Sequence, residues 1–301
     1  MADRKRIGIF GLGSMGYGMA QSLLRAGHVV AGFDINADAV GRFQAEGGLQ
    51  GVQQDILPTL DIVILVVLNA DQTRDVLFGE NGISEVLPTG ASVIACATVA
   101  PDFAKDMEAR SSAVGLHYLD APISGGSVKA ASGDLSIMAS GKKAAFDAAR
   151  PALDAMAETV FELGDAAGAG SAMKAVNQML AGVHIAAMAE AVTFGMTQGV
   201  DPAKTVEVIT QCAGNSWMFE NRAPHIVAAD YTPRSSVNIW PKDLGIVLDV
   251  AKDASFSAPL TAAALQQFVA AAGSGLGLED DAAVAKIYAR NAGVTLPGEG
   301  K

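Results

Sequence analysis

Short runs rich in apolar and β-branched residues alternate with stretches of helical periodicity from the start of the chain to about Gly164. The runs are Arg6 to Phe10, Val29 to Phe33, Ile62 to Leu68, Ser92 to Ala95, Tyr118 to Ala121, Leu135 to Ala139 and Val160 to Leu163. Strands separated in this way predict a parallel sheet covered by crossover helices. Ile62 to Leu68 reads IVILVVL, apolar at every position, so it is expected to lie centrally with both faces covered.

After Gly164 the pattern changes to alanine-rich helical sequence broken by glycine, proline and polar residues. Ser171 to Gln198 has no proline and carries Met173, Val176, Leu180, Val183 and Ala187 at helical spacing. At 1.5 Å per residue it predicts a helix roughly 40 Å long, enough to run from one domain into the next. Asp201-Pro202 supplies a cap and a first-turn proline for another helix. Further helices are expected around Val237 to Lys252, Pro259 to Ala272 and Asp280 to Ala292. The expected architecture is therefore an α/β domain over residues 1–164 and an all-α domain over residues 165–301.

Composition narrows the classes of function. The 301 residues are 50% hydrophobic and carry a net charge of -11, with no basic run beyond the short opening Arg4-Lys5-Arg6, which argues against a nucleic-acid partner. Two distant cysteines, Cys96 and Cys212, suit a reduced compartment rather than a disulfide framework, and the expected location is the cytoplasm. The longest unbroken apolar run falls far short of the roughly 20 residues that cross a bilayer, so no membrane partner is expected. Met1 to Arg6 is basic but is not followed by the apolar stretch of a signal peptide, and the mature chain is expected to be complete.

Gly11, Gly13 and Gly16 stand in G-x-G-x-x-G order between a predicted strand and a predicted helix. In that context the first glycine permits a tight turn, the second lets backbone approach a pyrophosphate, and the third lets helix pack on strand. Gly11, Leu12, Gly13, Ser14, Met15 and Gly16 are thus candidate dinucleotide ligands, with unpaired N–H groups at the helix start for the phosphate. Asp34 ends the second strand, where a carboxylate meets the adenosine ribose hydroxyls. It favours NAD over NADP, and no arginine adjoins it in the sequence.

Other chemistry is thin. The four histidines are isolated, and no His or Cys spacing suits a metal. Glu279-Asp280-Asp281 reads as a charge run at a helix start. No G-x-S-x-G elbow surrounds Ser124.

Four segments together resemble the β-hydroxyacid dehydrogenase family, which includes 3-hydroxyisobutyrate, tartronate semialdehyde and 6-phosphogluconate dehydrogenases. They are FGLGSMGYGMA, DAPISGGSVKAASG (Asp120 to Gly133), GAGSAMKAVNQ (Gly168 to Gln178) and PKDL (Pro241 to Leu244). The resemblance implies a Rossmann-type N-terminal domain, a long interdomain helix and a helical C-terminal domain that often builds a homodimer or homotetramer. It implies that Lys174 is the catalytic lysine. Independently of the family, oxidising an alcohol needs a base for the hydroxyl proton while hydride leaves the same carbon.

The resemblance further assigns Ser124, Gly125 and Gly126 to the substrate carboxylate, Thr98 to the vicinity of nicotinamide and substrate, and Lys242 to the cofactor end of the cleft. Most of the family has Asn four residues after the lysine, whereas this chain has Gln178 there and Asn177 one earlier. Both are substrate candidates, because positions three and four after Lys174 share its helical face. The segment AGNSWMFENRAPHIVAADYTPRSSVNIWPKDL, with NQMLAGVHIAAMAEA, resembles a subgroup that uses NAD to oxidise C2 of a four-carbon polyhydroxy acid. Trp217 and Phe219 are candidate pocket walls. The expected substrate is thus a small anionic hydroxy acid. A 3-hydroxyisobutyrate or tartronate semialdehyde enzyme is the rival reading, and a catalytically silent dinucleotide sensor is the non-enzymatic one.

Overall fold

The computed structural model describes residues 4–299, so the basic opening segment is described only from Arg4 onward. By internal packing the chain divides into two compact units, Met1–Lys174 and Ala175–Lys301.

Among its described residues the first unit holds eight strands: β1 (Arg6–Phe10), β2 (Val29–Phe33), β3 (Ile62–Leu65), β4 (Ser92–Ala95), β5 (His117–Asp120), β6 (Ile123–Ser124), β7 (Leu135–Ala139) and β8 (Ala157–Glu162). Strands β1 to β5 form one parallel sheet in the order β2-β1-β3-β4-β5. As its unbroken apolar run predicts, β3 is central, and all four of its residues are buried. The strand is shorter than expected, because the chain leaves the ladder after Leu65 to pass beside the glycine loop. A Cβ on Gly11 would lie 2.2 Å from the Val66 carbonyl oxygen.

The expectation of one continuous parallel sheet is corrected at β6. Strands β6, β7 and β8 form a second sheet in which β6 and β7 run antiparallel. Two residues are too few to show an alternation, so β6 leaves no periodic trace. The two sheets meet at a single antiparallel bridge between Asp120 and Ser140. One face of the main sheet buries Ile7, Ile9, Ile62 and Ile64 with Met19, Leu23 and Phe146. The other buries Val63, Leu65, Val93 and Tyr118 with Leu77 and Met107.

The long helix runs over Ala169–Thr197, 29 residues. It is the one helix among the described residues long and apolar enough to span a bilayer, which reading for unbroken apolar runs misses because glycine and polar residues interrupt it. Its Ile185, Met188, Ala189 and Val192 are buried in the core of the second unit, with Phe219, Ile226, Leu244 and Phe268. Trp240 stacks on Phe268 there, with ring centroids 5.4 Å apart.

Helices Pro202–Ile209, Ile239–Asp253 and Pro259–Ala271 follow the sequence pattern. Trp217–Ala228 is also helical despite Pro224, anchored by buried Phe219, Ala223 and Ile226. The single helix expected over Asp280 to Ala292 is instead a 3-10 turn, Asp281–Val284, followed by Ala285–Ala292. Asp280 caps that turn through the Ala282 N–H at 3.2 Å.

Candidate active site

The loop after β1 has the geometry that its glycines require. Gly11 adopts φ +97°, and a Cβ on Gly16 would lie 1.9 Å from the Gly11 carbonyl oxygen, so the helix Gly16–Arg25 sits directly on the turn. A Cβ on Gly13 would meet nothing within 4 Å, which leaves its backbone open to a ligand. Met15 caps the helix without a side-chain hydrogen bond, so the first-turn N–H groups are not taken up by a local side chain.

Asp34, just after β2, accepts the Leu12 N–H at 2.6 Å and the Asn36 N–H at 2.8 Å. It thereby ties the glycine loop to the end of the second strand. Leu12, Gly13, Ser14, Tyr17, Asp34, Asn36, Ala39, Arg42 and Glu46 line a pocket of about 500 Å³. An open glycine backbone, an uncapped helix start and a carboxylate on the pocket wall together fit a dinucleotide.

Although no arginine adjoins Asp34 in the sequence, Arg42, eight residues further on, lines the same pocket. It lies over the Tyr17 ring, 5.5 Å from the centroid, while the Tyr17 hydroxyl donates to Glu46 at 2.9 Å. The helix Ala37–Ala45 carries Arg42 into the pocket, a placement that depends on how that helix packs and not on sequence adjacency.

Five further candidates lie at or near the carboxyl ends of β4, β5 and β6, where open α/β sheets bind ligands. Thr98 follows β4 and is half-buried. Ser124 closes β6, and Gly125 and Gly126 adopt φ +133° and +77° before a short helix. Lys174 lies one and a half turns into the long helix and is buried. Its Nζ donates to the Ile123 carbonyl at 2.9 Å, which puts the amine beside the Ser-Gly-Gly bend. Cys96, also in this region, has its thiol pushed up to about 12, first by burial and then by the nearby Asp120 carboxylate.

In the second unit, Gln178 is buried and its side-chain amide donates to Asp243. It also accepts from Asn177 Nδ2 at 2.9 Å. Asp243 forms an ion pair with Lys242 at 2.6 Å. From the sequence Asp243 could orient Lys242 or cap a turn; in the structure it bonds both Lys242 and Gln178 and so orients the two together. Trp217 is 58% exposed at the start of its helix. Phe219 is corrected from pocket wall to core residue, since helical spacing turns it inward and leaves it 3% exposed.

A dinucleotide loop with an acid after β2, and a buried lysine beside a Ser-Gly-Gly bend, define an oxidoreductase of the NAD-binding, hydroxyacid-oxidising class. Residues 6–164 match the NAD-binding domain of 6-phosphogluconate dehydrogenase, and residues 168–288 match the NAD-binding domain of NADP-dependent 3-hydroxyisobutyrate dehydrogenase. The chain belongs to the β-hydroxyacid dehydrogenase family. It is 50% identical to an L-threonate dehydrogenase of Cupriavidus necator, over 98% of this chain and 99% of that protein. It is 45% identical to an L-threonate dehydrogenase of Escherichia coli, over 97% and 96%. Among solved structures, a 3-hydroxyisobutyrate dehydrogenase from Salmonella typhimurium shares 45% identity with a TM-score of 0.89, covering 94% of this chain and 99% of that one.

Proposed function

We propose that the chain oxidises L-threonate at C2 to 2-oxo-tetronate with NAD, using Lys174 as the base. The observation that carries this reading is the Lys174 Nζ held at 2.9 Å from the Ile123 carbonyl, adjacent to Ser124, Gly125 and Gly126. NAD would supply the hydride-accepting chemistry when bound, and Gly11 to Gly16, Asp34, Thr98 and Lys242 are the residues that would hold it.

Lys174 takes the hydroxyl proton at Nζ. The Ile123 carbonyl accepts one of its N–H bonds and so fixes where the lone pair can point. The Ser124 hydroxyl and the N–H groups of Gly125 and Gly126 bind the substrate carboxylate. Asn177 and Gln178 bind the remaining hydroxyls, because a site built from buried polar groups penalises an acid that lacks partners for them. Trp217 walls the substrate. Two carboxylates, Asp34 and Glu46, face one cation, Arg42, in the adenosine pocket, a balance that supports NAD over a 2′-phosphorylated cofactor.

We also infer a cytoplasmic homodimer or homotetramer. Val176, Leu180 and Phe194 support a subunit contact, being 52%, 52% and 64% exposed on the long helix.

Initial rates with NAD and NADP on L-threonate, D-erythronate, 3-hydroxyisobutyrate, tartronate semialdehyde and 6-phosphogluconate test the reading. L-Threonate with NAD is expected to give the highest kcat/KM; preference for 3-hydroxyisobutyrate would favour the activity named for the Salmonella relative. Lys174→Ala is expected to lower kcat by about 10²- to 10⁴-fold while the protein still binds NAD. A folded Lys174→Ala variant with wild-type turnover would remove the proposed base.

A further inference from the structure

The long helix begins at Ala169 in a buried setting, and buried N–H groups at a helix start need acceptors. They come from strands far back in the sequence. Asp120 Oδ2 accepts the Gly168 N–H at 2.9 Å and the Ser171 N–H at 2.8 Å, and Asp120 Oδ1 accepts the Ser171 hydroxyl at 2.7 Å. Ser140 Oγ accepts the Gly170 N–H at 2.9 Å and donates to Asp120 Oδ2 at 3.3 Å. The bridge between Asp120 and Ser140 therefore joins the two sheets and caps the helix at the same point. Asp120 is 1% exposed, and burial raises its carboxyl above the usual range even though these hydrogen bonds pull it down.

The cap has a second anchor one turn further on. Ser171 bonds to Asp120, and Lys174 bonds to Ile123. The spacing is three residues on the helix and three on the strand end, so the two contacts fix both the rotation and the rise of the first turn. Close packing adds to the constraint. A Cβ on Gly170 would lie 2.4 Å from the Met138 carbonyl oxygen and 2.7 Å from that of Asp120.

We propose that Asp120 is a positioning residue for catalysis: its carboxylate, with Ser140 and Ser171, locks the first turn of the long helix and so aims the Lys174 amine at the Ser124 bend. The proposal rests on Lys174 being the base, and its test keeps the two claims apart. An anionic acceptor suits the position, because it accepts three bonds from Gly168 and Ser171 at the positive end of a helix dipole and a fourth from the Ser140 hydroxyl. Asparagine retains one acceptor oxygen, and alanine retains none.

Hydrogen exchange on the protein without substrate is the first readout. In Asp120→Ala, amides 168–174 are expected to exchange at least tenfold faster, with amides 185–197 unchanged. Turnover is the second. Asp120→Ala is expected to lower kcat about 100-fold, the scale of a small misplacement of a reacting group. It should also move the limb of the pH profile of kcat/KM that Lys174→Ala abolishes, while the NAD dissociation constant stays within twofold. Asp120→Asn is expected to recover part of kcat, and Ser171→Ala to fall between. If Asp120→Ala does not fold, Ser171→Ala and Ser140→Ala carry the same two readouts.

Unchanged exchange in 168–174 overturns the proposal. So does faster exchange with kcat and the pH limb within twofold of wild type, which would leave Asp120 a structural cap only. Wild-type turnover in Lys174→Ala would instead overturn the base assignment, whatever the exchange data give.

Discussion

Asp120 in the strand-bearing unit and Asp280 in the helical unit are both fully buried carboxylates that cap a helix, and they reach that position by different routes. Asp280 caps its own 3-10 turn two residues away and accepts from His225 Nδ1 at 2.8 Å and from the Arg234 N–H at 3.1 Å. Asp120 caps a helix that starts 49 residues later in the chain, and its acceptor bonds come from backbone N–H groups and hydroxyls. Although burial pushes both carboxyls up, His225 and two backbone N–H groups hold Asp280 below the usual carboxylate range, whereas Asp120 ends above it. A local cap with a polar cluster around it secures the fold of its own segment. A remote cap with neutral partners fixes one element against another and so can aim a side chain.

The largest expected effect separates fold from site. Asp281, next to Asp280, is fully buried and forms an ion pair with Arg222 at 2.6 Å, and it accepts from the Trp240 indole at 3.0 Å. Asp281→Ala strands a nearly buried guanidinium and is expected to cost about 3–5 kcal/mol of stability by urea unfolding. The kcat of the molecules still folded at low temperature should change little. A large loss of kcat in that folded population would contradict the division between the two regions.

Gly170→Ala comes next. The added methyl would strike the Met138 and Asp120 carbonyls, and overpacking of this kind costs about 1–3 kcal/mol, against at most about 1 kcal/mol gained in helix propensity. The expected outcome is a lower Tm together with a lower kcat, because the same turn carries Lys174. A stabilised variant would mean that the sheet yields to the helix.

Acid titration is expected to give a smaller effect with opposite signs at the two caps. Asp280 is held low, so its contribution is complete above the unfolded carboxyl pKa, about 4, and is lost as pH falls through the folded value. Asp120 is held high, so its contribution is complete below about pH 4 and declines as pH rises through the folded value. Urea midpoints of wild type and Asp280→Asn from pH 6 to 2.5 should therefore converge as pH falls. Parallel curves would show that Asp280 does not titrate as its surroundings dictate.

The two caps also explain what the sequence discloses. Glu279-Asp280-Asp281 is legible as an acidic run at a helix start, because caps and dipole effects act within a few residues. That Asp280 and Asp281 are wholly buried is not legible, since it depends on Arg222, His225 and Trp240 arriving from other helices. The apolar run of β3 declares its central place because full burial leaves no polar alternation. The glycine loop is similarly legible, each glycine answering a steric demand within the same turn. Arg42 in the pocket beside the glycine loop, the two-residue β6 and the bonds to Asp120 from Gly168 and Ser171 all depend on tertiary placement, for which local pattern carries no signal.

The smallest expected effect is a control for a cap that is local and exposed. Asp201 accepts the Lys204 N–H at 3.1 Å at the start of Pro202–Ile209, a helix with no buried residue. Removing an N-cap side chain of this kind costs about 1 kcal/mol. Asp201→Ala is therefore expected to lower the urea midpoint slightly, with kcat, KM and exchange in 168–174 all at wild-type values. If that variant lost turnover as Asp120→Ala is expected to, loss of any cap would suffice. The special claim for the buried, remote carboxylate would then fail, because its effect would no longer follow from where its helix carries the lysine.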